Sequence, residues 1–486
     1  MSSLGQRTLS GFLWTLASET GTRAISFIIG IVLARLLTPE HFGLVAMLYI
    51  FFEVSNSFVN SGFSQALIRK DTITEEDKST TFIINVSIAV FFYLLLWHGA
   101  PYIARFFNQP PLVSLTRFMG LTVLIQAFVI IQKATFMQEL RFREIGIITL
   151  FANLTAGITG ITLAYLGFEV WALAYKYVLL VFIKTCVFWI LQPWFPKKWF
   201  SRDSFKYLFG FGSKLLAAGL LHVFFKNIYK VIIGRVFSAT MLGFYTHAQT
   251  YVQTASKGSI NTIQKVTYPI LSKTKNDPLR LKNAYRKLII ASSFIIFPLV
   301  TGLALIAEPL IMTLVGKQWL PAVPFLQILC ISGVIYHLHS INLNILKVVG
   351  RSDLFLKLEI IKKANNTVAI LVGLQFGIWG LMIAQVISSY VSLFINLYYT
   401  KHFISYSYYE QFKDLLLVVL HMLPMVLVVY GIVAIQALSV SPKLMLAVGM
   451  GATAYLLTSI MVRSEALRDI KSLLGERFQL LNKIPI

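Results

Sequence analysis

Windows of about 20 apolar residues recur almost end to end along the chain, each long enough at about 1.5 Å rise per residue to cross the hydrocarbon of a bilayer. They predict about fourteen helices, over residues 10–37, 41–64, 80–99, 113–133, 144–166, 169–191, 206–237, 241–264, 286–312, 322–347, 353–375, 378–400, 412–436 and 443–462. The polar residues inside these windows are not scattered. In the first, Thr15, Glu19, Thr22, Arg23 and Ser26 recur at spacings of three and four, which puts them on one helical face. Ionised groups at membrane depth are costly unless they face a partner or water, so this stripe predicts a helix that lines a hydrated cavity. The alternative is that Glu19 and Arg23, at i and i+4, neutralise each other in a packed bundle.

Similar stripes run along the second helix (Glu53, Asn56, Ser57, Asn60, Ser64), the seventh (Lys214, His222, Lys226, Lys230) and the eighth (Gln249, Gln253, Lys257, Asn261). Arg23, Lys214, Lys226 and Lys257 outweigh Glu19 and Glu53, so a cavity lined by these helices is cationic and concentrates anions. The substrate-binding candidates are Arg23, Lys214, Lys226, Lys257, Asn60 and Gln253. Glu19, Glu53 and His222 are the candidate titrating groups for ion coupling. Each lysine also has a plainer reading, since a long side chain near a helix end snorkels to the interface. Glu359 and Lys363, at i and i+4, read as a local pair. His337 and His339 are two residues apart and point to different faces, which suits core histidines better than a metal site.

Charge along the chain orients the spans. With the N-terminus inside, the inner connections hold Arg69, Lys70, Lys133, Arg141, Arg143, Lys197, Lys198, Lys273, Lys275 and Arg351, whereas the outer side holds little more than Arg105, Arg235, Lys317 and Lys443. This positive-inside alternation predicts an N-in, C-in topology. It also accounts for a net charge of +23, which in a soluble chain would suggest nucleic acid. Hydrophobic residues make up 57% and charged residues 13%, the balance of a polytopic membrane protein. The first span lacks the short apolar core and cleavage site of a signal peptide, so it reads as retained. Cys186 and Cys330 fall inside spans, which excludes a disulfide framework or a thiolate metal site. No HExxH, P-loop, GxSxG or CxxC pattern occurs, so the chain reads as a transporter and not an enzyme, with no cofactor and no metal, driven by an H+ or Na+ gradient.

An internal repeat sets the expected architecture. ARLLTPEHFGLV at 34–45 lies over GRVFSATMLGFY at 234–245, and FEVWAL at 168–173 over FGIWGL at 376–381, with offsets of 200 and 208 residues. Two halves of six helices in the same orientation follow. The expected domains are an N-terminal lobe over 1–199, a C-terminal lobe over 200–405, a peripheral helix pair over 406–462 and an interfacial cytoplasmic tail over 463–486.

ARLLTPEHFGLVAM after the first span, GFSQALIRK closing the second, RFRE after the fourth and YPILSK after the eighth resemble the Wzx-type oligosaccharide flippases. The likeness is narrower toward the colanic-acid and teichuronic-acid branch of the lipopolysaccharide biosynthesis proteins, within the multidrug/oligosaccharidyl-lipid/polysaccharide exporter superfamily. It implies two lobes around a V-shaped cavity and transfer of an undecaprenyl-pyrophosphate-linked oligosaccharide across the bacterial cytoplasmic membrane, for assembly of O-antigen, capsule or exopolysaccharide. Arg23 is the position that would match a first-helix arginine holding the pyrophosphate. The implied partners are the lipid-linked oligosaccharide, the membrane, a polysaccharide polymerase and a chain-length regulator, with no nucleic acid. A small-molecule exporter of the same superfamily is the nearest rival, although its lipophilic cations call for an acidic cavity. A glycan polymerase or acyltransferase needs catalytic groups at an accessible face.

Overall fold

A computed structural model of the protein describes the backbone of all residues except 1–2, 61–62, 64–65, 68–69, 71–72, 275–276, 463, 465–466 and 468–486. Side chains of 3–13, 16, 211, 214–215, 218, 257–270, 273 and 352 also lie outside the described set. The chain is all-helical among the described residues, as the apolar windows predict. Among the described residues ten helices are long and apolar enough to cross a membrane, and one bent pair passes the same test. The segment 463–486, expected to be an interfacial cytoplasmic tail, lies almost wholly outside the described residues.

Contacts divide the chain into Met1–Thr246 and His247–Ile486, a partition different from the repeat boundary at 199/200. The first unit holds α1 (Ser3–Leu36), α2 (Pro39–Asn60), α3 (Glu75–Phe107), α4 (Leu112–Ala127), α5 (Ile130–Gln138), α6 (Phe142–Tyr165), α7 (Val170–Leu191), α8 (Arg202–Val236) and the start of α9 (Ala239–Lys273). The chain can begin α2 sharply because Pro39 needs no hydrogen-bond acceptor in the first turn. A reciprocal capping box starts α3, with Asp77 N–H donating to Thr74 Oγ1 at 3.2 Å and Thr74 N–H to Asp77 Oδ2 at 3.0 Å. The linker from α7 to α8 is tied to that same end: Trp194 Nε1 donates to Glu75 Oε2 (2.9 Å) and Ser201 N–H to Thr80 Oγ1 (2.9 Å).

Small residues let helices approach closely, as lipid-embedded packing requires. A methyl group at Gly157 of α6 would stand 2.1 Å from Ile29 Cδ1 of α1, and one at Gly146 would stand 2.5 Å from Ser18 Cβ. Between them Asn153 Nδ2 donates to Ser26 Oγ (2.7 Å) and Thr22 O (3.3 Å). Part of the polar stripe on α1 thus serves helix packing and does not line a cavity.

The window over 113–133 is two helices, α4 and α5, bent by 43°. Phe128 and Val129 bond back three residues instead of four (3.3 Å each). The carbonyls at the bend find donors on α7: Trp189 Nε1 reaches Phe128 O (2.9 Å) and Thr185 Oγ1 reaches Ile125 O (3.4 Å). Irregular backbone at membrane depth survives only when such donors replace the helical ones.

The second unit continues α9 and adds α10 (Pro278–Leu305), α11 (Ala307–Leu314), α12 (Ala322–Val334), α13 (Tyr336–Val348), α14 (Ser352–Leu374), α15 (Gly377–Ile404), α16 (Tyr408–Ala434) and α17 (Val440–Met461). Asp277 caps α10 by accepting from Leu279 N–H (3.1 Å) and Arg280 N–H (3.0 Å). The window over 286–312 breaks at Ile306 and that over 322–347 at Ile335. Tyr455 of α17 donates to Phe294 O of α10 (2.7 Å), while Arg286 grips Asp414 of α16 through Nε (2.6 Å) and Nη2 (2.7 Å).

Each of the two tryptophans matched in sequence packs against a phenylalanine. Trp171, at the start of α7, meets Phe118 of α4 edge to face with centroids 5.6 Å apart. Trp379, at the start of α15, lies against Phe325 of α12 at 4.9 Å with the rings tilted by 45°. Within the first unit α2 and the start of α9 cross at equivalent positions: a methyl group at Gly43 would stand 1.7 Å from Ala239 O, and one at Gly243 would stand 1.9 Å from Pro39 O. That reciprocal contact carries the same offset of 200 residues read between ARLLTPEHFGLV and GRVFSATMLGFY.

Candidate functional site

Glu53 lies in the second half of α2 with its carboxylate one-third exposed, and α8 brings two donors to it. Lys226 Nζ approaches Oε1 at 2.8 Å and Asn227 Nδ2 donates to Oε2 at 2.7 Å. Asn227 is fully buried and its amide also donates to Val223 O (3.0 Å), which fixes its reach. One turn away the Lys230 ammonium lies over the Tyr49 ring, 5.5 Å from its centroid. Tyr49 and Glu53 on α2, and Lys226 and Lys230 on α8, are each four residues apart, so two antiparallel helices meet in successive rungs.

Arg23 and Glu19 form an ion pair on α1, Nη2 to Oε2 at 3.6 Å, with each side chain 46% exposed. The pairing alternative read from their spacing is therefore realised, but on an open face and not in a packed core. Lys226 is also 46% exposed, so both pairs keep an accessible side. Because Arg23 and Lys226 each have an acidic partner, their charge is locally compensated, and the surplus of positive charge expected from the stripes is smaller here than a residue count implies. Asn60 is exposed and donates to Asn56 O (2.8 Å), and His222 is exposed one turn before Lys226. Gln253 is half-buried and belongs to the second unit. The side chains of Lys214 and Lys257 lie outside the described residues.

Asn227 and Tyr49 were not singled out by the sequence reading. Their signal was the register of α8: Asn227 is adjacent to a striped lysine, and only the helix crossing shows that it shares that lysine's carboxylate. Two expectations in the second unit fare differently. Glu359 pairs with Lys362, at i+3, and also acts electrostatically on Lys363, its expected partner at i+4. His337 is a buried core residue as expected, with Nε2 2.9 Å from Ser293 Oγ and its ring against Phe297.

Apolar helices long enough to span a bilayer, with ion pairs set inside spans, define a polytopic α-helical membrane protein. Residues 32–324 match the model of the polysaccharide biosynthesis protein family, and the chain belongs to that family. It is 28% identical to the teichuronic acid biosynthesis protein TuaB of Bacillus subtilis (strain 168), over 73% of this chain and 74% of that one. It is 23% identical to the lipopolysaccharide biosynthesis protein WzxC of Escherichia coli (strain K12), over 88% of each chain. In fold it is similar to the lipid II flippase MurJ in an inward closed conformation, with a TM-score of 0.76, 15% identity, and coverage of 93% of this chain and 99% of that one. These likenesses bear out the resemblance carried by the four sequence motifs.

Proposed function

We propose that the protein is a flippase that moves a polyprenyl-pyrophosphate-linked oligosaccharide from the inner to the outer leaflet of the bacterial cytoplasmic membrane for surface polysaccharide assembly. The observation that carries this reading is family membership joined to a fold that matches a lipid flippase along nearly its whole length. The half-exposed Arg23 supports it chemically. A guanidinium held loosely by one carboxylate at 3.6 Å can exchange that partner for pyrophosphate oxygens, which it binds in a two-pronged geometry. Lys226, paired with Glu53 yet accessible, is the second proposed contact, and Asn60, exposed at the end of the helix that carries Glu53, is the third. We assign the N-in, C-in topology, alternating access driven by an ion gradient, and delivery to a polymerase and chain-length regulator to the same reading. The multidrug alternative is less supported, because the similar curated proteins are named for polysaccharide biosynthesis.

The test is deletion of the gene followed by extraction of membrane lipids. A lipid-linked oligosaccharide should accumulate on the cytoplasmic face, and plasmid-borne wild type should clear it. An Arg23→Ala variant present at normal level in the membrane should leave the accumulation in place. Normal polysaccharide and no accumulated lipid in the deletion strain would refute the flippase reading. Full clearance by Arg23→Ala would remove that residue from the site.

A further inference from the structure

His339 sits inside a membrane-spanning segment, Ala322–Val348, within a polar network that joins three further helices of the second unit. Its Nδ1 lies 3.1 Å from Asn396 Nδ2, and its Nε2 lies 3.4 Å from Ser389 Oγ, both on α15. An amide N–H can only donate, so Nδ1 accepts, and the ring proton resides on Nε2 and points to Ser389. This neutral arrangement leaves a defect, because Asn396 Oδ1 is buried without a hydrogen-bond partner. Protonation of Nδ1 would convert it to a donor, and a half-turn of the Asn396 amide would then bring the orphaned oxygen to it. The pair thus has two hydrogen-bonded states that differ by one proton.

The surroundings connect that choice to helix packing. One turn from His339, Asn342 Oδ1 accepts from Tyr285 of α10 and from Thr400 of α15, each at 2.6 Å, while the same Thr400 hydroxyl lies 3.2 Å from Asn396 O. Asn365 of α14 donates to Ser388 Oγ of α15 (2.9 Å). Of the charged and titratable groups around the ring, α14 supplies Lys362 and Glu359, close enough to act on it electrostatically, with Lys363 beside them. Tyr285 comes from α10 and Tyr390 from α15, and His337 precedes the ring by two residues on its own helix. His337 is committed elsewhere, to Ser293. Apolar side chains, among them Leu338, Ile341, Leu393 and Leu397, seal the network.

We propose that His339 is the proton-binding residue of the second unit, and that its protonation switches the Asn396 amide and with it the contacts of α13 with α15. In the transport cycle, which rests on the flippase reading, a proton from the outer aqueous phase adds to Nδ1 and is released on the inner side. Imidazole suits this role because a single proton turns one of its ring nitrogens from an acceptor into a donor. None of the coupling candidates read from the sequence, Glu19, Glu53 and His222, belongs to this unit.

The test follows backbone hydrogen–deuterium exchange of residues 336–348 and 385–400 in the purified full chain from pH 3 to 8, corrected for intrinsic exchange. Wild type should show a one-proton transition. His339→Gln, which keeps a donor and an acceptor but cannot titrate, should lose it while melting at a similar temperature. Asn396→Asp, which places a carboxylate beside Nδ1, should move it to higher pH by about 1–3 units. A wild type without a transition, or one unchanged in His339→Gln, overturns the proposal. In cells, clearance of the lipid-linked oligosaccharide by His339→Gln should no longer follow the proton gradient; gradient-driven clearance in that variant also overturns it. A histidine-dependent transition in a protein that clears no such lipid would leave the proton site standing and overturn the flippase reading.

Discussion

Asp414 shows how a charge is held within the second unit. Its carboxylate is nearly buried, at 6% exposure, and takes two bonds from Arg286 and one from the Tyr406 hydroxyl at 2.5 Å, whereas Arg286 keeps 42% of its side chain exposed. The two partners are not equivalent. Removing Asp414 leaves a guanidinium that can turn toward water, but removing Arg286 strands a buried carboxylate. Arg286→Ala should therefore cost about 3–5 kcal/mol, the range for leaving one member of a buried pair uncompensated, and Asp414→Asn distinctly less. Thermal melts of the two purified variants in the same detergent check this, and equal losses would contradict the asymmetry. Residue-scale chemistry of this kind was only partly legible in the sequence. The spacing of Glu19 and Arg23 announced their pair, whereas the pairing of Glu359 with Lys362, at i+3, was not singled out. The union of Glu53 with Lys226 and Asn227 links residues more than 170 positions apart and needed the helix crossing to be seen.

At the scale of elements, the apolar windows located the helices well and their interruptions poorly. Starts with Pro39, Thr74, Asp277 and Ser407 carry recognisable chemistry, and Ser407 pairs with Glu410 in a second capping box. The bend between α4 and α5 has no glycine or proline to announce it. It depends on Trp189 and Thr185, which lie some sixty residues further along. The glycine crossing of α2 and α9 sits at the opposite extreme. Gly43 and Gly243 were matched from sequence alone, and the structure supplies the reason: each faces the other helix's first-turn carbonyl at a distance that excludes a methyl group. Gly43→Ala or Gly243→Ala should force the two helices apart by an ångström or more, since about 3 Å is the least a carbon and a carbonyl oxygen tolerate. Either variant should lose several degrees of melting temperature and most polysaccharide output. Gly30→Ala, where a methyl group meets nothing within 4 Å, should change neither. Equal behaviour of the three variants would mean the crossing does not need glycine.

For the whole molecule, the distribution of charge makes a statement that helix packing does not. The expected sidedness of the loops rests on the positive-inside bias, in which cationic connections resist translocation. The bias here is consistent from turn to turn. Lys198 and Arg351 lie on connections assigned to the inside, whereas Phe168 and Phe376, at the two turns matched by the internal repeat, lie on connections assigned to the outside. All four are exposed, at 59% and 47% for the two basic side chains and 45% and 72% for the two aromatic residues, so a cysteine at any of them meets solvent or headgroups and not packed protein. Cys186 is only partly buried and must first be replaced by serine, whereas Cys330 is buried and can remain. A membrane-impermeant thiol reagent added to spheroplasts should label cysteines at 168 and 376 at once and those at 198 and 351 only after lysis. The repeat makes the experiment redundant by design, because two halves of the same orientation require positions 168 and 376 to respond alike. Opposite labelling of those two would break the parallel repeat. Reversed labelling of all four would keep the repeat but turn the chain over, placing Arg23 and Lys226 so that translocation from the inner leaflet would have to begin at the other end of the fold.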